Sequence, residues 1–267
     1  MDAVALTRHL LAFNTCNPPG QERECARFLG GLLEKAGFKT RYLEFAQART
    51  CLIAWTDTKG QGECRPVCFS GHLDTVPLGV TLWSRDPFNG IIEGDKLYGR
   101  GTSDMKGGVA AMVTAALRAA RVSHGKANIM LILTAGEEAG CQGAFFLAQS
   151  AQHLSPVGAL VVGEPTLNYP CIAHKGVIWL DAQADGVAAH ASVPEKGVNS
   201  IYKAARAILR LQAFAFPTPN NPILGAPTLN IGTIAGGNAI NIVPECAVFA
   251  VDIHNSRPVA CRHISPG

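Results

Sequence analysis

The 267-residue sequence has little charge, few aromatic residues and no long apolar run. Each shortage removes a class of protein. Stretches such as ALVVGEP and IMLILTAGEE break at Gly, Pro or an acid, far short of the roughly 20 continuous apolar residues a membrane-spanning helix needs. No membrane partner is expected. Aromatics make up 7% and charged residues 16%; the 23 basic and 20 acidic side chains are spread along the chain with a net charge of +3. There is no basic stripe to follow a phosphate backbone, so nucleic acid is not an expected partner. The N-terminus MDAVALTRHLLAF carries an acid at its second position and no basic segment ahead of an apolar one, which argues against a secretory signal and for a cytoplasmic protein. Neither a P-loop nor a dinucleotide fingerprint is present. The nine cysteines are odd in number and irregularly spaced; Cys64 and Cys68 have no second pair to complete a zinc knuckle, so reduced packing cysteines are expected.

What is present is ample apolar content. At 48% hydrophobic, with 28 Gly and 16 Pro, the chain is neither disordered nor collagen-like and is long enough for one large or two modest domains. Helical spacing of apolar residues predicts helices over Ala3 to Phe13, Glu22 to Ala36, Lys106 to Ala120 and Ala144 to Ser150. Compact β-rich runs predict strands at Thr40 to Phe45, Thr50 to Thr56, Pro66 to Ser70, Lys96 to Tyr98, Ile129 to Thr134 and Ala159 to Val162. Such alternation points to an α/β fold with a sheet at least partly parallel. Near residue 172 the pattern changes to a long alternating strand, Ile172 to Asp185, then a helix from Gly197 to Gln212 and strands at Thr228 to Ala235 and Cys246 to Ile253. A second, α+β unit is expected there, giving domains 1–171 and 172–267.

Ligands in open α/β sheets bind beyond the carboxyl ends of the strands, and the polar residues follow that rule. PVCFS leads into His72 and Asp74, IMLILTAG into Glu137 and Glu138, ALVVG into Glu164, and KLYGRGTS delivers Asp104 ahead of a helix. His72 and Asp74 are two apart on an extended segment and share a face, so the carboxylate can support the imidazole. Taken singly, each has a plainer reading: a turn histidine beside a turn acid, a helix-capping aspartate, a solvated glutamate pair, a loop acid. Adjacent carboxylates after a buried strand repel unless a cation or solvent compensates. Together, one imidazole and several carboxyl groups make an oxygen-rich set suited to Zn²⁺ or Mn²⁺, with room for two ions sharing a carboxylate.

The blocks SGHLDTVP, LYGRGTSDMKGG, TAGEEAG and VVGEPT occur in this order and at these spacings. Jointly they resemble the M20 metallopeptidase and amidohydrolase family, which includes acetylornithine deacetylase, succinyl-diaminopimelate desuccinylase, carboxypeptidase G2 and aminoacylase; the resemblance runs over about residues 1 to 253. It implies a zinc-exopeptidase-like mixed sheet flanked by helices, with an inserted α+β lid that mediates dimerisation. It also implies two Zn²⁺ ions, replaceable by Co²⁺ or Mn²⁺, held by His72, Asp104, Glu138 and Glu164. Asp104 would bridge the ions, Asp74 would orient His72, and Glu137 would be the general base; a cis peptide is implied between Asp104 and Met105. GVAAHASVPEKGVNSI resembles the lid segment whose histidine, here His190, reaches a neighbouring subunit's site as an oxyanion donor. Asn241 in GGNAINIVP resembles a substrate-contacting asparagine. The implied reaction is hydrolysis of the amide bond of an N-acyl amino acid or small peptide by a homodimer.

The pattern departs from the family after VFAVDI, where His254 and an unpatterned tail stand in place of the rest of the lid and a return to the catalytic domain. The family's last zinc-binding histidine has no match, and His263 lies in no comparable motif. The expectation is an incomplete lid, exposed sheet edges, a weaker second metal site and reduced turnover. The alternative is a catalytically impaired homologue that only binds metal or dimerises.

Overall fold

A computed structural model describes residues 1–56, 65–124, 126–149 and 154–256; Cys64, Ser150 and His263 lie outside them. Two compact units divide between Asn168 and Tyr169.

The first unit is a five-stranded mixed sheet with helices. Helix α1 (Ala3–Leu11) is capped by Asp2, whose Oδ1 accepts a hydrogen bond from the Ala5 amide at 2.7 Å, and it buries Leu6, Leu10 and Leu11. Helix α2 (Arg23–Lys35) turns Cys25, Ala26, Leu29 and Leu33 inward, and Gly37, at φ +88°, leads the chain into the first strand. Strands β1 (Phe38–Ala46) and β2 (Arg49–Thr56) form a hairpin. Next come β3 (Val67–His72), β4 (Ile91–Glu93), β5 (Lys96–Tyr98), helix α3 (Lys106–Val122), β6 (Ile129–Thr134), helix α4 (Gln142–Gln149) and β7 (Ala159–Val162).

The strand order is β1-β2-β6-β3-β7, with β3 parallel to both β6 and β7 and β2 antiparallel to its neighbours. Parallel pairing sets the carboxyl ends of β6, β3 and β7 side by side. The register pairs His72 with Thr134 and Ser70 with Val162, so two further residues along β7's direction bring Glu164 level with His72. The fourth expected strand end differs: β5 belongs to a separate two-stranded sheet with β4. Asp104 comes instead from the turn that opens α3.

The main core is formed by Leu6, Leu10, Leu29, Leu52, Val109 and Leu131 with their neighbours. Packing at the α3 end is close enough that a Cβ on Gly108 would sit 2.5 Å from the Gly163 carbonyl oxygen. Cys25, Cys51 and Cys68 are buried free thiols whose pKa burial pushes up to about 11, and the seven described cysteines form no disulfide. Lys106, only 1% exposed, donates from Nζ to the carbonyls of Leu10 at 3.0 Å and Phe13 at 2.7 Å. It therefore ties the end of α1 to the start of α3. Lys106→Met is expected to strand those carbonyls and destabilise the first unit by about 1–3 kcal/mol, read as a lower midpoint in urea unfolding.

The second unit contains β8 (Gly176–Asp185), helix α5 (Ser200–Gln212), β9 (Thr228–Gly236) and β10 (Cys246–Asn255), with β10 between the other two strands and antiparallel to both. Two boundaries differ from the sequence reading. β8 begins at Gly176 rather than Ile172, because Gly176 is the last residue that finds a partner on β10, opposite Asn255. The helix begins at Ser200 rather than Gly197, because Pro194–Lys196 makes a separate 3₁₀ turn and Asn199 takes the cap, its Oδ1 accepting from the Tyr202 amide at 3.1 Å. A small core of Ala204, Ala247, Phe249 and Val251 joins the helix to the sheet. No helix among the described residues is long and apolar enough to cross a membrane.

Candidate metal centre

His72 ends β3 as a buried side chain, and its ring nitrogens face acids on both sides. Nε2 lies 3.0 Å from Asp104 Oδ1, 3.9 Å from Glu164 Oε1 and 4.0 Å from Glu137 Oε2. Nδ1 is 2.9 Å from the Asp74 backbone carbonyl and 3.5 Å from the Asp74 carboxylate. Burial alone would lower the imidazole's pKa, but the hydrogen bonds to Asp104 and Asp74 and the charge of Glu164 overcome it and raise it to about 11. The imidazole thus sits where positive charge is strongly favoured.

The carboxylates show the same imbalance from the other side. Glu138 is raised to about 7, first by burial and then by the nearby Asp104, with His72 opposing. Glu164 is raised as well, by burial first, with Asp104 and Glu137 adding to it against His72. Acids crowded this way favour a cation in their midst. Two sets of ligand atoms, one from His72, Asp104 and Glu164 and the other from His72, Glu137 and Glu138, each lie within 4.8 Å of one another. An imidazole with oxygen donors fits a divalent ion of the zinc, manganese or cobalt kind. His72 is common to both sets. Geometry alone lets Glu137 serve either as a ligand or as a free base.

Local folding explains how these residues meet. The turn from Gly99 to Met105 closes when the Lys106 amide donates to the Gly101 carbonyl at 2.9 Å, the Asp104–Met105 peptide is cis, and the His72 amide donates to Met105 Sδ at 3.1 Å. Asp104 caps no helix amide; α3 has Met105 at its cap position and no side-chain cap bond. Glu137 and Glu138 follow β6 on a turn in which the amides of Gly140 and Cys141 donate to the Glu137 carbonyl, and Cys141 Sγ donates to Glu137 Oε1 at 3.5 Å.

Asp74 does more than face His72. Its Oδ1 accepts from the Glu137 amide at 3.0 Å, and its Oδ2 accepts from the Glu138 amide at 3.1 Å and from Asn17 Nδ2 at 2.9 Å. Burial would raise this carboxyl, but the bonds from His72, Asn17 and Glu137 outweigh it and hold its pKa below the ordinary aspartate value. Asp74 therefore stays charged and grips the glutamate turn by its backbone. Sequence reasoning missed Asn17 altogether, although NPPG, with cis bonds at Asn17–Pro18 and Pro18–Pro19, marks a turn of special geometry.

His190 and Asn241 lie in the second unit. His190 Nδ1 is 2.8 Å from Ser192 Oγ, and the His190 and Ile242 backbones form an isolated bridge. The Asn241 carbonyl accepts from the Ala191 amide at 3.1 Å, and its side chain is exposed.

The chain is similar to several known proteins. Acetylornithine deacetylase of Klebsiella pneumoniae (strain 342) is 38% identical over 195 residues, 69% of this chain and 49% of that protein. Succinyl-diaminopimelate desuccinylase of Gluconobacter oxydans (strain 621H) is 32% identical over 262 residues, 94% of this chain and 67% of that protein. The chain thus spans half to two thirds of these relatives. Among solved structures, an M20 family metallo-carboxypeptidase from Sulfolobus solfataricus superposes with a TM-score of 0.74 at 18% identity, over 98% of this chain and 72% of that one. The model of "Peptidase family M20/M25/M40" matches residues 68–265. With the strand-end cluster falling inside that match, the chain belongs to peptidase family M20/M25/M40.

Proposed function

We propose that this chain carries the catalytic centre of a zinc-dependent amidohydrolase that cleaves the amide bond of an N-acyl amino acid or small peptide. The convergence of His72, Asp104, Glu137, Glu138 and Glu164 at neighbouring strand ends carries this reading. His72, Asp104, Glu138 and Glu164 would hold two Zn²⁺ ions, with Co²⁺ or Mn²⁺ as substitutes. Such ions supply water of pKa about 7 and a polarised carbonyl.

The remaining work falls to the chain's own groups. Glu137 accepts a proton from the attacking water at its carboxylate and returns it to the leaving nitrogen. Asp74 keeps Glu137 and Glu138 in place through their amides and offers its carboxylate to His72. Residues 1–171 form the catalytic domain and 172–267 belong to a lid domain through which two copies pair in the cytoplasm. From that lid, His190 donates to the developing charge on the carbonyl oxygen of a neighbouring copy's substrate, and Asn241 contacts the substrate. Acyl groups of the kinds removed by the deacetylase and desuccinylase relatives are the first candidates.

The test is a panel of acetyl, succinyl and formyl amino acids and dipeptides, incubated with the zinc- or cobalt-reconstituted protein while free amine is measured. Release from at least one class, dependent on added metal, is the expected result. Metal binding without turnover favours the alternative of a metal-binding fragment, and a protein that retains no ion after reconstitution overturns the reading.

A further inference from the structure

Three consecutive amides lead into and through the glutamate pair, and each is held by a buried carboxylate. Asp74 takes those of Glu137 and Glu138; the Gly136 amide donates instead to Glu22 Oε1 at 3.2 Å. Glu22 comes from a remote part of the chain, immediately before α2. It makes no side-chain cap bond to that helix, and it is 0% exposed. Its carboxylate is fastened by Arg49, whose Nε lies 2.8 Å from Oε2 and 3.2 Å from Oε1. Arg49 in turn donates from Nη1 to the Pro19 carbonyl at 3.0 Å and stacks 5.4 Å from the centre of the Phe45 ring.

The backbone is shaped around this pair. Gly20 and Gly136 both have positive φ, +73° and +72°; a Cβ on Gly20 would lie 2.5 Å from Arg49 Cζ, and one on Gly136 would lie 2.7 Å from Arg49 Nη2. The guanidinium therefore packs against two backbone positions that only glycine fits. A buried ion pair is weak evidence for stability, since apolar replacements of similar volume often fold as well. Here one oxygen of the pair has a further task, to hold the residue directly before Glu137.

We propose that Glu22, steadied by Arg49, is a positioning residue for Glu137: it fixes the Gly136 amide as Asp74 fixes the next two, so that the base and its neighbour Glu138 keep separate stations. The inference rests on the hydrolytic role proposed for Glu137. The Gly136 carbonyl is held separately by the Gln142 amide at 2.8 Å, and Glu22 secures the amide side of the same residue.

The experiment compares the wild-type chain with Glu22→Met/Arg49→Met, which removes both charges and the acceptor, and with Glu22→Gln/Arg49→Gln, which restores an acceptor oxygen. Hydrogen exchange over residues 134–138, Co²⁺ stoichiometry and steady-state kinetics are measured on each. In the Met pair, exchange at Gly136 is expected to quicken and Co²⁺ stoichiometry to stay at the wild-type level. A misplaced base lowers kcat, here by about tenfold to a hundredfold, with KM nearly unchanged; the Gln pair is expected to recover most of both losses. Should the Met pair not fold, Glu22→Asp carries the same comparison, since it keeps the charge and withdraws the oxygen by one methylene. Wild-type exchange at Gly136 or wild-type kcat in the folded Met pair, or in Glu22→Asp where that stands in for it, overturns the proposal. If the wild-type chain has no turnover, the hydrolytic reading fails on its own, while the exchange data still decide whether Glu22 holds the turn.

Discussion

Glu137→Gln is expected to lower amide hydrolysis by about 10²- to 10⁴-fold, the usual contribution of a positioned general base, while metal content stays at the wild-type level. The neighbouring change, Glu138→Gln, is expected to do the reverse and lose bound metal first. Both side chains leave a turn whose backbone amides are held by Asp74, so neither substitution disturbs the anchoring. The contrast comes from their surroundings. Glu138 is half-buried, its carboxyl raised to about 7 by burial and by Asp104, so it gains from a cation beside it. Glu137 is 3.5 Å from the Cys141 thiol and 4.0 Å from His72 Nε2, inside the cluster, so the metal content of its variant decides between base and ligand. Elemental analysis beside kcat on the two variants checks the assignment; loss of metal from both would place Glu137 among the ligands.

The second large effect is expected from His72→Ala, because His72 alone belongs to both possible ligand sets. Metal binding should fall whichever of those sets holds the ion, and turnover with it. Stability offers an independent readout. A ligand present at a thousand times its Kd stabilises the folded state by about 4 kcal/mol, so chelation should lower the melting temperature of the wild-type protein by several degrees. In His72→Ala the chelator should make little further difference, since the ion it would remove is no longer held. A wild-type melting temperature indifferent to chelator would mean that the cluster holds no ion tightly.

The sequence made the cluster legible because strand ends obey a simple rule. His72, Glu137 and Glu164 each follow an apolar run, and parallel pairing of those runs brings their ends together. Asp104 was found for a partly mistaken reason: it was credited to a strand of the same series, whereas β5 lies in a small hairpin apart from the main sheet. The supporting residues were not legible. Glu22 looks like an ordinary acid at a helix start, and Arg49 like a polar residue opening a strand; only the fold reveals that both are buried against Gly136. Lys106, two residues after Asp104, has the pattern of a solvated helix residue, but its ammonium is enclosed by carbonyls from α1. Local patterns report where chains turn and which faces are apolar. They do not report which distant backbone groups need a charged partner.

Asp74 joins a histidine, an asparagine side chain and two glutamate amides through a single carboxylate. Genetic interaction among positions 17, 72 and 74, whose side chains meet at that carboxylate, should accordingly be strong and far from additive. Once the shared aspartate is gone, a second lesion in the group has little left to break, and a screen that scores substitutions one at a time would count the same damage several times over.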